Sequence, residues 1–337
     1  MKYSALVAVT LGALTAIPAA AEGELNLYSA RHYETDERLY SDFEKATGIT
    51  INRIEGKADE LAARMQAEGV NSPADVLLTV DTSRLKRAKD MGILQAIEND
   101  TLEDRIPANL QDDDNFWFGF SQRARVIFYN KETVSEPPQT YAALAKPEYK
   151  GQVCIRSSSH VYNQTLLAAI IEHEGEDAAK AWAAGIVENM ARAPQGGGTD
   201  QLRGIVSGEC DIAVSNTYYF ARAIRRDVSG VSSDIDGIGW VFPDQDGNGS
   251  HVNLSGGGVA AHAPNRANAI KFLEYLASDQ AQDYFSAGND EYPVVEGVAL
   301  APSVDKLGEF KADDVSLTEV AENLPAAQRI FNEVGWK

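Results

Sequence analysis

Apolar residues recur along this chain at two spacings that take turns, every second residue and then every third or fourth. Residues 24–28 alternate, with Leu25 and Leu27 on one side, and 36–46 follow with Leu39, Tyr40 and Phe43 at helical spacing. Gly48 stands where a left-handed residue closes a helix. Residues 49–54 read as the next strand and 59–68 as a helix with Leu61 and Met65 on one face, closed by Gly69. Residues 75–80 read as a buried strand and 83–90 as a helix. Repeated strand–helix units predict an α/β fold with a mostly parallel sheet flanked by helices.

The second half restarts the rhythm after a break. Residues 116–129 form a long strand-like stretch, and Pro137-Pro138 interrupts the chain behind it. A second α/β series then opens with a strand at 151–155 and a helix at 163–173. Residues 200–207 predict a helix with Leu202, Ile205 and Val206 inward, ended by Gly208, and 210–215 a strand. Residues 239–242 are placed to carry the chain back, because 267–277 and 280–285 are helical again. There is no internal repeat and no low-complexity tract. Two α/β lobes joined by crossing strands fit this order.

The N-terminus carries an export signal. Met1-Lys2 is a short basic start, Leu6 to Ile17 an apolar run of the right length, Pro18 a break, and Ala19-Ala20-Ala21 a cleavage site. The run is too short to anchor in a bilayer, and no cysteine follows for lipid attachment. The expectation is a signal peptide over 1–21 and a soluble mature chain beginning near Glu22, located in the periplasm. Losing Lys2 from the 30 basic residues leaves 29 against 50 acidic ones, a net charge of −21. Phosphate repels such a chain, which argues against nucleic acid and anionic membrane as partners. Cys154 and Cys210 are the two cysteines, and an exported protein most often pairs two.

Four tyrosines hold equivalent places in this reading. Tyr33 lies beyond the first strand, Tyr162 beyond the strand ending at Ile155, and Tyr218 and Tyr219 beyond the strand ending at Ser215. Ligands of open α/β sheets bind outside the carboxyl ends of strands, where helix N-termini also point. A Tyr-Tyr pair alone is ordinarily packing, but four phenols at strand exits can converge on one cleft. Phenolate is a hard anionic donor suited to Fe(III). Ionising one phenol at pH 7 costs about 4 kcal/mol from its reference pKa, which a trivalent cation reverses by deprotonating its ligands.

The motifs carrying these residues are Leu27-Tyr-Ser-Ala-Arg-His-Tyr33, Arg123-Ala-Arg125, Val153-Cys-Ile-Arg-Ser-Ser158, Tyr162-Asn-Gln164 and Ser215-Asn-Thr-Tyr-Tyr219. Together they closely resemble the periplasmic ferric-iron-binding proteins of bacterial ABC importers, in the branch with His-Tyr in the first lobe. The resemblance covers essentially the whole mature chain. It implies a two-lobed type II periplasmic solute-binding fold with an interlobe cleft and crossing hinge strands, and a receptor rather than an enzyme. Lobe 1 is expected over 22–122 plus 240–296 and lobe 2 over 123–239 plus 297–337. Tyr162, Tyr218 and Tyr219 are implied as second-lobe iron ligands and Tyr33 as the first-lobe ligand, with His32 an optional one. Arg123 and Arg222 match positions that neutralise or hydrogen-bond around the site. The implied partners are the iron ion and the importer's membrane permease, with the receptor a monomer. Fe(II) stays open beside Fe(III), as does a synergistic anion such as carbonate. Gly196-Gly-Gly-Thr-Asp200 departs from the pattern by placing glycine where an acidic residue is expected, and no Gly-Lys-Ser/Thr follows to make a phosphate loop.

Other candidates are weaker. His160, His173, His251 and His262 lack metal-ligand spacing and read as surface or hydrogen-bonded residues. Asp244-Gln-Asp-Gly-Asn-Gly249 lacks the terminal Glu of a calcium loop and reads as a solvated turn. Ser157-Ser-Ser159 serves equally as an anion site or a helix cap. A receptor for an oxyanion or a polyamine on the same fold is the rival reading, although the strand exits lack the carboxylate-flanked aromatic boxes a polyamine needs. An enzyme is disfavoured: there is no Gly-x-Ser-x-Gly elbow and no His-Glu-x-x-His helix.

Overall fold

A computed structural model describes residues 23–31, 33 and 35–337. The expected signal peptide at 1–21 and the optional ligand His32 lie outside the described residues. Strand β1, Glu24–Ser29, buries Leu25 and Leu27 completely, as their alternation requires. It runs parallel to β2, Thr50–Glu55, and to β3, Val76–Val80. Helix Asp36–Thr47 covers this layer with Leu39, Tyr40 and Phe43, and Gly48 closes it at φ 72°.

Strand β4, Phe118–Asn130, holds the two lobes together. The remaining strands are β5 at Val153–Cys154, β6 at Ile212–Asn216, β7 at Ile238–Val241, β8 at Val252–Val259 and β9 at Tyr292–Pro293. The sheet order is β2-β1-β3-β8-β4-β6-β5, with β7 and β9 also pairing to β4. Up to Ala124, β4 lies antiparallel to β8; from Arg125 to Tyr129 it lies antiparallel to β6. One strand therefore serves the sheets of both lobes, with the junction between Arg123 and Arg125. The expectation of a mostly parallel sheet holds for β2-β1-β3 and for β5-β6. Around β4 and β8 the pairing is antiparallel, because each of these strands returns the chain from one lobe toward the other.

Strand β8 escaped the sequence pattern. Its Val-Asn-Leu-Ser-Gly-Gly-Gly-Val has the composition of a loop, since glycine disfavours strands. The glycines are there because neighbouring backbones crowd in: a Cβ at Gly256 or Gly257 would lie 2.6 Å from the carbonyl oxygen of Phe118 or Leu77. The cysteines behave as expected. Cys154 on β5 and Cys210, just before the adjacent parallel strand β6, are disulfide-bonded with Cα atoms 5.8 Å apart.

Candidate metal centre

Each tyrosine sits where a strand hands over to a helix. Tyr162 is the second residue of helix Val161–Glu174, and Tyr218 and Tyr219 lie in the first turn of helix Thr217–Arg225. The positive ends of both helix dipoles thus point toward the phenols, which favours their anionic form. The hydroxyls of Tyr162 and Tyr218 are 3.4 Å apart. Tyr219 stacks on Tyr218 with ring centres 4.0 Å apart, and Arg156 Nη1 donates to its hydroxyl at 3.4 Å. Tyr33, beyond β1, joins from the other lobe: the Arg222 guanidinium lies 5.8 Å from its ring centre and 5.3 Å from that of Tyr218.

Beneath the phenols lies a buried charge network. Ser121, Arg123 and Arg125 share one face of β4 by strand alternation. Arg123 donates to the Glu291 carboxylate at 2.8 Å, to Ser255 Oγ at 2.7 Å and to the Leu254 carbonyl at 2.7 Å. Its guanidinium sits 5.8 Å from the Tyr162 ring centre and 5.9 Å from that of Tyr218. Ser121 Oγ donates to the same Glu291. Arg31 lies 3.6 Å from Glu291, 3.1 Å from Asp36 and 5.0 Å from the Tyr33 ring centre. Arg125 donates to Asn163 Oδ1 and Asn216 Oδ1 at 2.6 and 3.1 Å, tying the starts of the two tyrosine-bearing helices together.

The electrostatics hold the phenols of Tyr33, Tyr162 and Tyr218 neutral. Burial pushes the Tyr162, Tyr218 and Tyr33 hydroxyls above the usual tyrosine value of 10; charge from a neighbouring phenol adds to the rise in each, as does Glu291 for Tyr33 and Tyr162, while Arg123 opposes it in all three and the hydrogen bond with Tyr218 opposes it in Tyr162. Burial would raise Glu291 as well, yet Arg123 and Arg31 overcome it and keep its carboxyl below the normal range. Glu291 is therefore an anion that locks the arginines in place.

The structure assigns clear places to the remaining candidates. Arg222 reaches both Tyr33 and Tyr218 and also lies 3.6 Å from Asp290. His160 caps helix Val161–Glu174, its Nδ1 accepting from the Tyr162 amide at 3.2 Å, so the helix cap falls to it and not to the serines. Ser158 instead ties down the C-terminus, donating to the carbonyls of Trp336 and Lys337. His173 binds Asp313 at 2.8 Å and His262 is exposed. His251 departs from expectation: it is buried, with neither ring nitrogen hydrogen-bonded among the described residues. The 244–249 segment is a turn closed by amides of Gly247 and Gly249 donating to the Asp244 carbonyl. Among the described residues no cluster of three His, Cys, Asp or Glu side chains is set to hold a metal.

One glycine of the 196–200 segment is required sterically. Gly198 opens helix Gly198–Val206, and a Cβ there would overlap the Tyr219 ring. Sequence reasoning did not single out Glu291, Arg31, Asp36, Asp290 or Arg156. Arg31 and Arg156 stood inside the tyrosine motifs and Asp36 at the start of a predicted helix, but Asp290 and Glu291 lie in a short link between helix Asp279–Asn289 and β9 that carries no periodic signal.

Residues 71–312 match the bacterial extracellular solute-binding protein family, and the chain belongs to that family. It is 50% identical over 315 residues to iron uptake protein A1 of Synechocystis, spanning 93% of this chain and 88% of that protein. The Trichodesmium IdiA (FutA) structure, in complex with iron and citrate ligands, superposes at TM-score 0.90 with 49% identity over 94% of this chain and 100% of that one. The ferric binding protein from Campylobacter jejuni superposes at 0.87 with 41% identity, over 93% of this chain and 100% of that one. The resemblance read from the tyrosine motifs is thus a relationship over nearly the whole described chain.

Proposed function

We propose that this protein is a periplasmic receptor that binds ferric iron through tyrosine phenolates and hands it to the membrane permease of an ABC importer. The observation that carries this reading is the meeting of Tyr162 and Tyr218 at 3.4 Å, with Tyr219 and Tyr33 bordering the same spot. Relatives named for iron uptake and ferric binding, at up to half identity, support the choice of cargo.

In this reading Tyr33, Tyr162, Tyr218 and Tyr219 are the ligands. His32 is an optional further ligand from the first lobe. Three phenolates balance Fe(III) and a fourth leaves the site at −1, which Arg222 and Arg123 offset. A synergistic anion such as carbonate finds a donor in Arg156, whose buried Nε has no protein partner among the described residues. The lobes divide at β4, as 22–122 plus 240–296 and 123–239 plus 297–337, and the receptor acts as a monomer without chemistry of its own. Fe(II) is the weaker cargo, because it compensates fewer phenolates.

Competition titration of the iron-free protein against ferric nitrilotriacetate tests this. One iron per chain with release of protons from the phenols is the expected result. No uptake beyond the chelator's own, or uptake without proton release, contradicts it.

A further inference from the structure

Along the helix that carries Tyr162, toward its C-terminal end, lies a cavity of about 440 Å³ that none of the four tyrosines lines. Its apolar wall is made by Leu166, Ala169 and Ile170 of helix Val161–Glu174 and by Trp182 of helix Glu176–Asn189. Facing this wall is the turn that begins at Asp244, and His251 just after it.

His251 is the unusual element. Its backbone is fully engaged: the amide donates to Tyr141 Oη at 3.2 Å and the carbonyl accepts from the Arg125 amide at 2.9 Å. The ring is 3% exposed and lines the cavity, and neither Nδ1 nor Nε2 has a partner among the described residues. Burial, then Arg125 and His173, hold its pKa down to about 3, so the ring is neutral and offers one lone pair. A buried polar group left unmet is costly, so what enters the cavity is what satisfies it.

The charges at the cavity select the visitor. Asp244, Glu174 and Asp313 supply three carboxylates against Lys146 and His173, an excess of negative charge even with His173 protonated. Asp313 is already tied to His173 at 2.8 Å. Asp244 accepts from the Tyr141 amide through Oδ2 at 3.2 Å and has its other oxygen to offer. Burial, then Glu174 and Asp313, raise the Asp244 pKa, a crowding of carboxyls that a cation relieves.

We propose that this cavity is a second binding site, taking a small organic cation with an apolar body and an ammonium head. The head donates to Asp244 and to the His251 lone pair, and the body lies on the Ala169–Trp182 wall. The site is independent of the iron reading.

Benzylammonium, benzyl alcohol and benzoate share a ring and differ in head charge, which makes them the probes. Calorimetric titration of the full protein, with the Trp182 indole N–H followed by NMR, is expected to show saturable benzylammonium binding. The other two probes bind at least about tenfold more weakly, the share of a charge-assisted hydrogen bond. Asp244→Asn keeps the left-handed backbone that residue 244 adopts (φ 61°) and lowers benzylammonium affinity about tenfold. Ala178→Leu, filling the cavity from the second helix, removes binding while leaving iron uptake unchanged. Equal binding of the three probes, insensitivity to both variants, or no benzylammonium binding at millimolar concentration overturns the proposal.

Discussion

The hydroxyl of Tyr162 lies 3.4 Å from that of Tyr218, although the two residues are 56 positions apart and open different helices. Two ionised phenols at that distance repel, so without a cation both stay protonated. Burial raises both above the usual value of 10; charge from Tyr162 adds to the rise at Tyr218, and charge from Tyr219 adds to it at Tyr162. In the iron-free protein these phenols are expected to ionise only above pH 10, and on adding Fe(III) they are expected to ionise at neutral pH. Difference absorbance of tyrosinate near the ultraviolet edge checks this. A metal-free phenolate signal at pH 7 would falsify this picture.

On the proposed reading, Tyr33 and Tyr218 divide the labour of capture and closure. Three of the four proposed ligands come from the second lobe, so iron is expected to dock there and Tyr33 to bring the first lobe in. A ligand shifts an open–closed balance only through contacts that differ between the states, and Tyr33 is such a contact. Tyr33→Phe is expected to keep a coloured complex, bind more weakly and stay more open in solution scattering. Tyr218→Phe or Tyr219→Phe is expected to lose more than about 100-fold in affinity, beyond the usual effect of residues behind a metal's ligands. If Tyr33→Phe abolishes binding while Tyr219→Phe is nearly silent, the roles are reversed.

Glu291 bears on stability as much as on the site. Glu291→Gln leaves the buried Arg31 and Arg123 without their shared carboxylate and is expected to destabilise by about 3–5 kcal/mol, the cost of breaking a buried pair from one side. The sign with pH follows from the depressed carboxyl: its folded pKa lies below the unfolded 4.5, so the stabilisation is present above pH 4.5 and is lost as pH falls toward the folded value. Urea melts of both proteins are expected to converge at acid pH. A constant gap between them down to pH 3 contradicts the assignment.

Gly198→Ala probes the last glycine of the Gly196-Gly-Gly-Thr-Asp200 segment. The added methyl overlaps the Tyr219 ring, which must shift from its stack on Tyr218. Iron affinity is expected to fall about tenfold, comparable to losing a group that orients a metal ligand, with the thermal midpoint moved much less. Unchanged affinity in a competition titration would show that Tyr219 is placed by other contacts.

The strand exits and the tyrosines were legible because both depend on local signals. Leu25 and Leu27 alternate, Gly48 and Gly208 punctuate, and Tyr33, Tyr162, Tyr218 and Tyr219 follow directly. Helix Thr217–Arg225 was hidden because Thr-Tyr-Tyr-Phe favours strands locally; tertiary packing of Phe220 and Ala221 overrides it. Strand β8 was hidden by glycines that backbone crowding demands. Glu291 could not be read at all: its partners Arg31, Arg123 and Ser121 are brought to it only by the fold. His251 was misplaced for the same reason, since nothing adjacent in the chain shows that β8 carries it inward.

Direct binding of Fe(III) by several tyrosines is tested by the visible spectrum of the purified protein with added ferric citrate. A broad phenolate-to-iron charge-transfer band is expected in the wild type, weaker in Tyr33→Phe and largely lost in Tyr162→Phe and Tyr218→Phe. A colourless protein that nonetheless retains iron through gel filtration, or a band indifferent to these substitutions, contradicts the claim.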